Sequence, residues 1–152
     1  MPDLQLIARS RIVASARSWL GVPYVHQGRS KKGIDCIGLI VETARGVGLP
    51  IPPIPNNYTA NPTSDMLLSA CALNLQQAAD PTKLLPGSIA VLWGFERGAA
   101  QHFAIVGVHA LKPTMIHAFS KHRKVVEHGW DAFWMKRFVR TYEFPRTEPW
   151  KA

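Results

Sequence analysis

A cysteine occupies a position in this sequence where a helix is expected to begin. Cys36 follows Asp35 in the stretch KKGIDCIGLI and precedes an apolar run. Aspartate is a favoured N-cap, so Cys36 would lie in the first turn, where backbone N–H groups have no partner within the helix. Those donors favour a thiolate and can also hold the oxyanion of a tetrahedral intermediate. The chemistry expected of such a residue is nucleophilic attack on a carbonyl carbon, and the alternative is a packed core thiol.

A thiol nucleophile needs a base, and two histidines lie in apolar segments that are typical of strands. His102 opens HFAIVGV and His117 lies within TMIHAF. Side chains alternate between the faces of a strand, so in a hairpin these rings share a face only if the loop has an even number of residues. With such a loop, His102 could take the proton of Cys36 and His117 could orient it, as the third member of a triad does. An odd loop would break this arrangement.

The other histidines and the second cysteine carry weaker signals. His26 lies in the loop before the predicted helix and is a candidate for lining the cleft, whereas His122 and His128 are expected to face solvent. Cys71 lies among leucines in a predicted helix and is interpreted as a core residue. The sequence contains no HExxH and no CxxC, so we expect no metal site and no other cofactor.

The elements that must position these groups follow from hydrophobic periodicity. Apolar residues at helical spacing predict helices over residues 4–20, 36–47 and 65–79, with a proline-rich loop at 49–62. Five apolar segments separated by short turns predict antiparallel strands at 88–95, 102–108, 114–119, 124–130 and 136–144. Helices followed by strands predict an α+β fold in which N-terminal helices pack on a C-terminal antiparallel sheet.

Size and composition limit the class of protein. The chain has 152 residues, of which 47% are hydrophobic, enough for a single domain over 1–152, and two cysteines cannot build a disulfide framework. Arginines interrupt the apolar N-terminal segment, unlike a signal peptide, and no apolar run is long enough to span a membrane. We therefore expect a soluble protein that is synthesised in the cytoplasm. Only the formal charge of +8 would favour a nucleic-acid partner, and we expect none.

Four ordered motifs resemble the NlpC/P60 family of cysteine peptidases. The motifs are GVPYVHQGRSKKGIDCIGL (21–39), LLPGSIAVLW (84–93), QHFAIVG (101–107) and MIHAFS (115–120). The resemblance covers about residues 10–142 and implies a papain-like fold, in which a cysteine at a helix N-terminus packs against the sheet that carries the histidine. The YVHQGR segment is most similar to the subgroup encoded by phages and gene-transfer agents, which is associated with tail tips.

The resemblance also implies a role for each matching residue. Cys36 is the implied nucleophile, His102 the base and His117 the third polar residue, which orients the base. Tyr24 is implied to assist near the oxyanion or the substrate amine. Asp35 is implied to bind the free amine of a stem peptide in addition to capping the helix.

Three positions depart from the family pattern. Ile37 follows the nucleophile where many wall peptidases have serine, Gln101 precedes the base where they often have serine, and Ser88 replaces the aspartate of a PGD turn. Ile37 and Gln101 are therefore expected to contact substrate and to influence which bond is cut.

The implied activity is hydrolysis of amide bonds in peptidoglycan stem peptides. The implied partners are the stem peptide and phage tail-tip proteins, with action at the cell wall from a tail or virion. Two alternatives remain open: a papain-like acyltransferase or amidase that acts on a non-wall substrate, and a catalytically silent tail or binding module.

Overall fold

The chain folds into helices followed by an antiparallel sheet, as predicted. The computed structural model describes residues 4–51, 74–94 and 100–146, without the side chains of 4, 100 and 101. The helices are α1 (Leu4–Arg17), α2 (Cys36–Gly46) and a single turn, α3 (Ala132–Met135). The strands are β1 (Arg29–Ser30), β2 (Gly33–Ile34), β3 (Gln76–Gln77), β4 (Ile89–Trp93), β5 (Ala100–His109), β6 (Lys112–Phe119), β7 (Lys124–Gly129) and β8 (Phe138–Glu143). The predicted α+β class is confirmed.

One predicted helix is wrong at its C-terminal end. Most of the helix expected over 65–79, including Cys71, lies outside the described residues, as does the proline-rich loop from residue 52 onward. Gln76 and Gln77 form the short strand β3 instead, paired with Tyr142 and Glu143 of β8. Pairing at the sheet edge provides hydrogen-bond partners for the backbone groups of these two residues. The helical periodicity of the sequence does not reveal this pairing.

Six strands form the main sheet, in the order β3-β8-β4-β5-β6-β7, and every neighbouring pair is antiparallel. Helices α1 and α2 cover one face, where their buried residues pack against alternate residues of β4, β5 and β6. A smaller apolar cluster lies on the other face, and Trp134 of α3 covers part of it. None of the helices in the described part of the chain has the length and apolar character needed to cross a membrane.

A two-residue turn joins β5 to β6. His109 pairs with Lys112, which leaves only Ala110 and Leu111 in the loop, with φ angles of 49° and 65°. Two consecutive left-handed residues match the right-handed twist of the flanking strands. Because the number of loop residues is even, His102 and His117 lie on the same face of the sheet.

A buried ion pair joins the first helix to the last strand. Arg9 of α1 donates from Nη2 to Glu143 Oε1 at 2.8 Å and from Nη1 to Glu143 Oε2 at 3.2 Å. Its Nη1 also donates to the Pro86 carbonyl oxygen at 3.0 Å. Arg9 and Glu143 are 8% and 2% exposed, so the pair is shielded from water and ties the N-terminal helix to the sheet.

Candidate active site

Helix α2 begins at Cys36 because Asp35 caps it. Asp35 has an extended backbone, and its Oδ1 accepts a hydrogen bond from the Gly38 N–H at 2.8 Å. Its Oδ2 accepts from the Gln27 N–H at 2.7 Å, so one carboxylate holds both the helix start and the preceding loop. Asp35 is only 2% exposed. Its implied contact with a substrate amine stays a prediction, and it would require these oxygens to be shared with the two amides.

Gly38 lets the loop approach the first turn of α2 closely. A Cβ built on Gly38 would overlap the Gly28 carbonyl oxygen and lie 3.0 Å from a side-chain carbon of Ile34. The obstacle at Gly28 is backbone, so it cannot move aside cheaply. The close approach holds the loop that carries Tyr24 and His26 against the start of the helix.

The Cys36 thiol lies in a pocket of backbone N–H groups, but its surroundings do not favour the thiolate. The N–H groups of Cys36, Ile37 and Phe103 are directed at the sulfur and lower its pKa. Burial and the nearby Asp35 carboxylate outweigh them, and they raise the pKa of Cys36 to about 12. The N–H groups at the helix start thus act in the expected direction, but loss of hydration has the larger effect on the thiol.

The Phe103 N–H reaches the sulfur because the ladder between β5 and β6 is incomplete. That ladder runs from His109↔Lys112 to Ile105↔Ile116, whereas β5 pairs with β4 as far as Ala100↔Trp93. Residues 100–104 of β5 thus have no register partner in β6. The start of α2 lies next to this stretch, since the thiol takes the place of a strand partner for Phe103.

Tyr24 also lies close to the thiol. Burial, together with the charges of a Cys36 thiolate and of Asp35, raises the pKa of Tyr24 to about 12. The hydroxyl therefore keeps its proton and can donate a hydrogen bond beside the sulfur. Ile37, by contrast, is 4% exposed with its side chain in the core, so its implied substrate contact stays a prediction.

The two predicted histidines contact each other directly. His102 Nε2 lies 2.7 Å from His117 Nδ1, and the ring centroids are 5.0 Å apart. His117 is fully buried, and burial lowers the pKa of both rings, that of His102 to about 4. Both imidazoles are therefore neutral near pH 7, and His102 keeps its Nδ1 for a partner other than His117.

No hydrogen bond joins the Cys36 thiol to the His102 imidazole among the described residues. The thiol lies against the N–H of Phe103, the residue that follows His102, so the two groups are near each other without being bonded. Both residues are only partly buried, but loss of hydration disfavours each charged form, so a neutral thiol beside a neutral imidazole is favoured.

His128 was expected to face solvent, and that expectation is wrong. It is partly buried, and its Nε2 lies 2.8 Å from His117 Nε2. Its Nδ1 lies 2.9 Å from the Gly129 carbonyl oxygen, which extends the two-histidine contact into a chain of three. His128 pairs with Met115 and so shares a face with His117, a register that the sequence alone does not reveal.

The remaining candidates lie at the edge of this site. His26 Nδ1 is 3.9 Å from Asp35 Oδ2, and the His26 side chain is 39% exposed, so it borders the loop side of the helix start. The side chain of Gln101 lies outside the described residues. Within those residues, no group of three or more His, Cys, Asp or Glu side chains is arranged to hold a metal ion.

Comparison with known proteins points to one family. A family model described as NlpC/P60 family matches residues 21–143. The probable endopeptidase NlpC of Escherichia coli (strain K12) is 28% identical over 124 residues, which cover 80% of this chain and 69% of that protein.

Solved structures agree on the fold. An NlpC/P60 family protein from Bacillus cereus superposes with a TM-score of 0.65 at 20% identity, over 90% of this chain. The match spans only 40% of that longer chain. The peptidoglycan hydrolase RipB from Mycobacterium tuberculosis superposes with a TM-score of 0.54 at 20% identity, over 94% of this chain and 67% of its own.

Proposed function

Since this chain belongs to the NlpC/P60 family, we propose that it is a cysteine peptidase that hydrolyses amide bonds in peptidoglycan stem peptides. The observation that carries the proposal is the thiol of Cys36 at a capped helix start, beside the strand residue that follows His102. The relative named as a probable endopeptidase supports hydrolysis of a peptide bond, and the matching structure named as a peptidoglycan hydrolase supports the substrate class.

The proposed reaction starts from the neutral pair. As the Cys36 sulfur attacks the substrate carbonyl carbon, its proton passes to His102 Nδ1, the nitrogen that does not contact His117. The carbonyl electron pair becomes an oxyanion, for which the N–H groups at the helix start and the Tyr24 hydroxyl are the available donors. Proton transfer during attack removes the need for a free thiolate in the resting enzyme.

The rest of the cycle balances with the same groups. The tetrahedral intermediate breaks its C–N bond, and the proton on His102 passes to the leaving amine. A water molecule then attacks the thioester and gives a proton to His102. The S–C bond to Cys36 breaks to release the acid, and the proton on His102 returns to the sulfur. His117 acts throughout by holding the His102 ring.

We further propose that the whole chain, residues 1–152, acts as one catalytic domain that works at the cell wall from a phage-derived tail. The YVHQGR segment that precedes the helix supports this subgroup. In the structure the segment is built into the site, because its Gln27 N–H is held by Asp35. Pull-down of tail-tip proteins by the tagged chain would test the tail assignment separately from the activity.

Digestion of purified sacculi tests the activity. The products of the wild-type protein, resolved by LC-MS, should contain new stem-peptide termini, and Cys36→Ala should release none. Cys71→Ala is the matched control, since it removes the only other cysteine in the sequence and should leave the products unchanged. The raised pKa of Cys36 is the observation that favours a catalytically silent module, and identical profiles for wild type and Cys36→Ala would support that alternative.

A further inference from the structure

The chain of three histidines ends at a carbonyl oxygen, which can accept a hydrogen bond but cannot donate one. His128 Nδ1 lies 2.9 Å from the carbonyl oxygen of Gly129. A carbonyl oxygen carries no proton, so the hydrogen of this bond must reside on His128 Nδ1. In a neutral imidazole only one nitrogen is protonated, and His128 Nε2 is therefore a lone-pair acceptor.

The tautomer of His128 determines the tautomers of His117 and His102 in turn. Because His128 Nε2 accepts, His117 Nε2 must donate across the 2.8 Å contact and carry the only proton of the His117 ring. His117 Nδ1 is then an acceptor, so His102 Nε2 must donate across the 2.7 Å contact. The proton of the His102 ring is thereby fixed on Nε2, and its Nδ1 is left with a free lone pair.

We propose that His128 is a positioning residue, which sets the tautomers of His117 and His102 so that His102 presents an unprotonated Nδ1 to the Cys36 thiol. The proposal rests on the proposed function, in which this nitrogen takes the thiol proton. His128 lies outside the catalytic set predicted from the sequence. Its own orientation is fixed by a main-chain carbonyl group of β7.

The aromatic packing around the three histidines holds their rings in place. His117 is fully buried and stacks on Phe119 with ring centroids 5.2 Å apart, while Trp134 lies edge-on to it at 5.1 Å. Trp134 also lies against His128 at 5.6 Å. An imidazole held between aromatic rings cannot turn over to exchange its nitrogens, so its tautomer is decided by its two hydrogen-bond partners.

A doubly protonated His128 would reverse the direction of the hydrogen bonds among the three histidines. Its Nε2 would then donate to His117 Nε2, His117 Nδ1 would donate to His102 Nε2, and the His102 proton would move to Nδ1. In that arrangement the base would present an N–H to the thiol and could not accept its proton. The direction of the chain is therefore a measurable property with opposite consequences for activity.

Nitrogen-15 NMR of histidine-labelled protein measures that direction without any substrate. At about pH 7.5 we expect Nε2–H forms for His102 and His117 and the Nδ1–H form for His128, assigned with single His→Gln variants. An Nδ1–H form of His102 in the wild-type protein would overturn the proposal. Because this readout needs no hydrolysis, it stands or fails independently of the proposed activity.

Variants of His128 then connect the tautomer to the rate. His128→Phe removes the acceptor, so we expect kcat on sacculus fragments to fall about 10- to 100-fold with little change in KM, and the His102 tautomer to become mixed. His128→Gln keeps a carbonyl oxygen that can accept from His117 and should recover most of the rate.

His122→Phe is the matched control, because His122 is a neighbouring exposed histidine outside the chain, and it should keep the wild-type rate. A His128→Phe protein that is folded by circular dichroism and fully active would refute the positioning role. If His128→Phe does not fold, the tautomers of His128→Gln and its rate decide the same question.

Discussion

At the scale of single residues, this site is assembled from groups that burial keeps neutral. The thiol of Cys36 has its pKa raised to about 12, and the imidazole of His102 has its pKa lowered to about 4. Both shifts have desolvation as their largest cause, so they describe one environment rather than two separate effects. The reactive pair is therefore charged only when a proton moves from sulfur to nitrogen.

The reactivity of Cys36 toward iodoacetamide should reveal this protonation state. Below its pKa the thiolate fraction of a simple thiol grows about tenfold per pH unit, so the alkylation rate should rise steadily from about pH 6 to pH 9. A rate that is flat across this range would indicate a stable thiolate–imidazolium pair instead. The measurement is made by mass spectrometry in a Cys71→Ala background, which leaves Cys36 as the only cysteine.

The depressed pKa of His102 also predicts acid sensitivity of the fold. The folded-state pKa of about 4 lies below the usual 6.5, so the unfolded chain binds more protons than the folded one between these values. Stability should therefore fall as the pH decreases from 6.5 toward 4, and His102 should contribute about 2 kcal/mol of the loss by pH 4.5.

Urea unfolding of wild type and His102→Gln at about pH 7 and pH 4.5 tests this prediction. The free energy of unfolding should drop less in the variant, by roughly the His102 contribution. Equal drops in the two proteins would mean that His102 takes up no extra proton on unfolding.

At the scale of elements, the positions of the strands were predictable from the sequence, but the way the strands bring the histidines together was only partly predictable. Each of the five apolar segments predicted as strands contains a strand of the sheet, because short buried strands between turns have a strong sequence signal. The sequence left open whether the loop between β5 and β6 has an even or an odd number of residues, and the structure has two, residues 110–111. The register of β7 was not predictable, because Ser120–His122 and the left-handed Arg123 intervene, and His128 was missed for that reason.

The start of α2 should be sensitive to one methyl group. Gly38→Ala places a Cβ against the Gly28 carbonyl oxygen, so either the loop or the helix must shift. We expect a loss of about 1–3 kcal/mol in unfolding free energy, together with loss of hydrolysis, because the shift displaces Cys36.

Gly129→Ala is the matched control for stability, since a Cβ there meets no heavy atom within 4 Å. Chemical denaturation of both variants makes the comparison. If Gly38→Ala were as stable as Gly129→Ala, the close approach of loop and helix would not constrain the site.

At the scale of the whole molecule, the first helix and the last strand are joined by the buried pair of Arg9 and Glu143. Burial raises the pKa of Glu143, and the hydrogen bonds and charge of Arg9 oppose that shift. The same guanidinium holds the Pro86 carbonyl in the turn before β4. One side chain thus connects three segments that are distant in sequence, which no local pattern in the sequence indicated.

Removing one partner of this pair should cost more than removing both. Arg9→Met leaves the Glu143 carboxyl buried without its guanidinium, and we expect a loss of about 3–5 kcal/mol in unfolding free energy. The double variant Arg9→Met, Glu143→Leu removes the stranded carboxyl and should regain most of that loss. Thermal and urea unfolding of the three proteins provide the double-mutant comparison, and a double variant no more stable than Arg9→Met would contradict this view of the pair.

The protonated sulfur of Cys36 should resist oxidation by air and peroxide. Oxidation of cysteine to sulfenic acid proceeds from the thiolate, and burial keeps that species scarce at Cys36. The nucleophile should therefore outlast aerobic storage without added reductant, whereas a permanently ionised cysteine would be consumed. Loss of hydration at this partly buried sulfur should thus make the attacking atom durable as well.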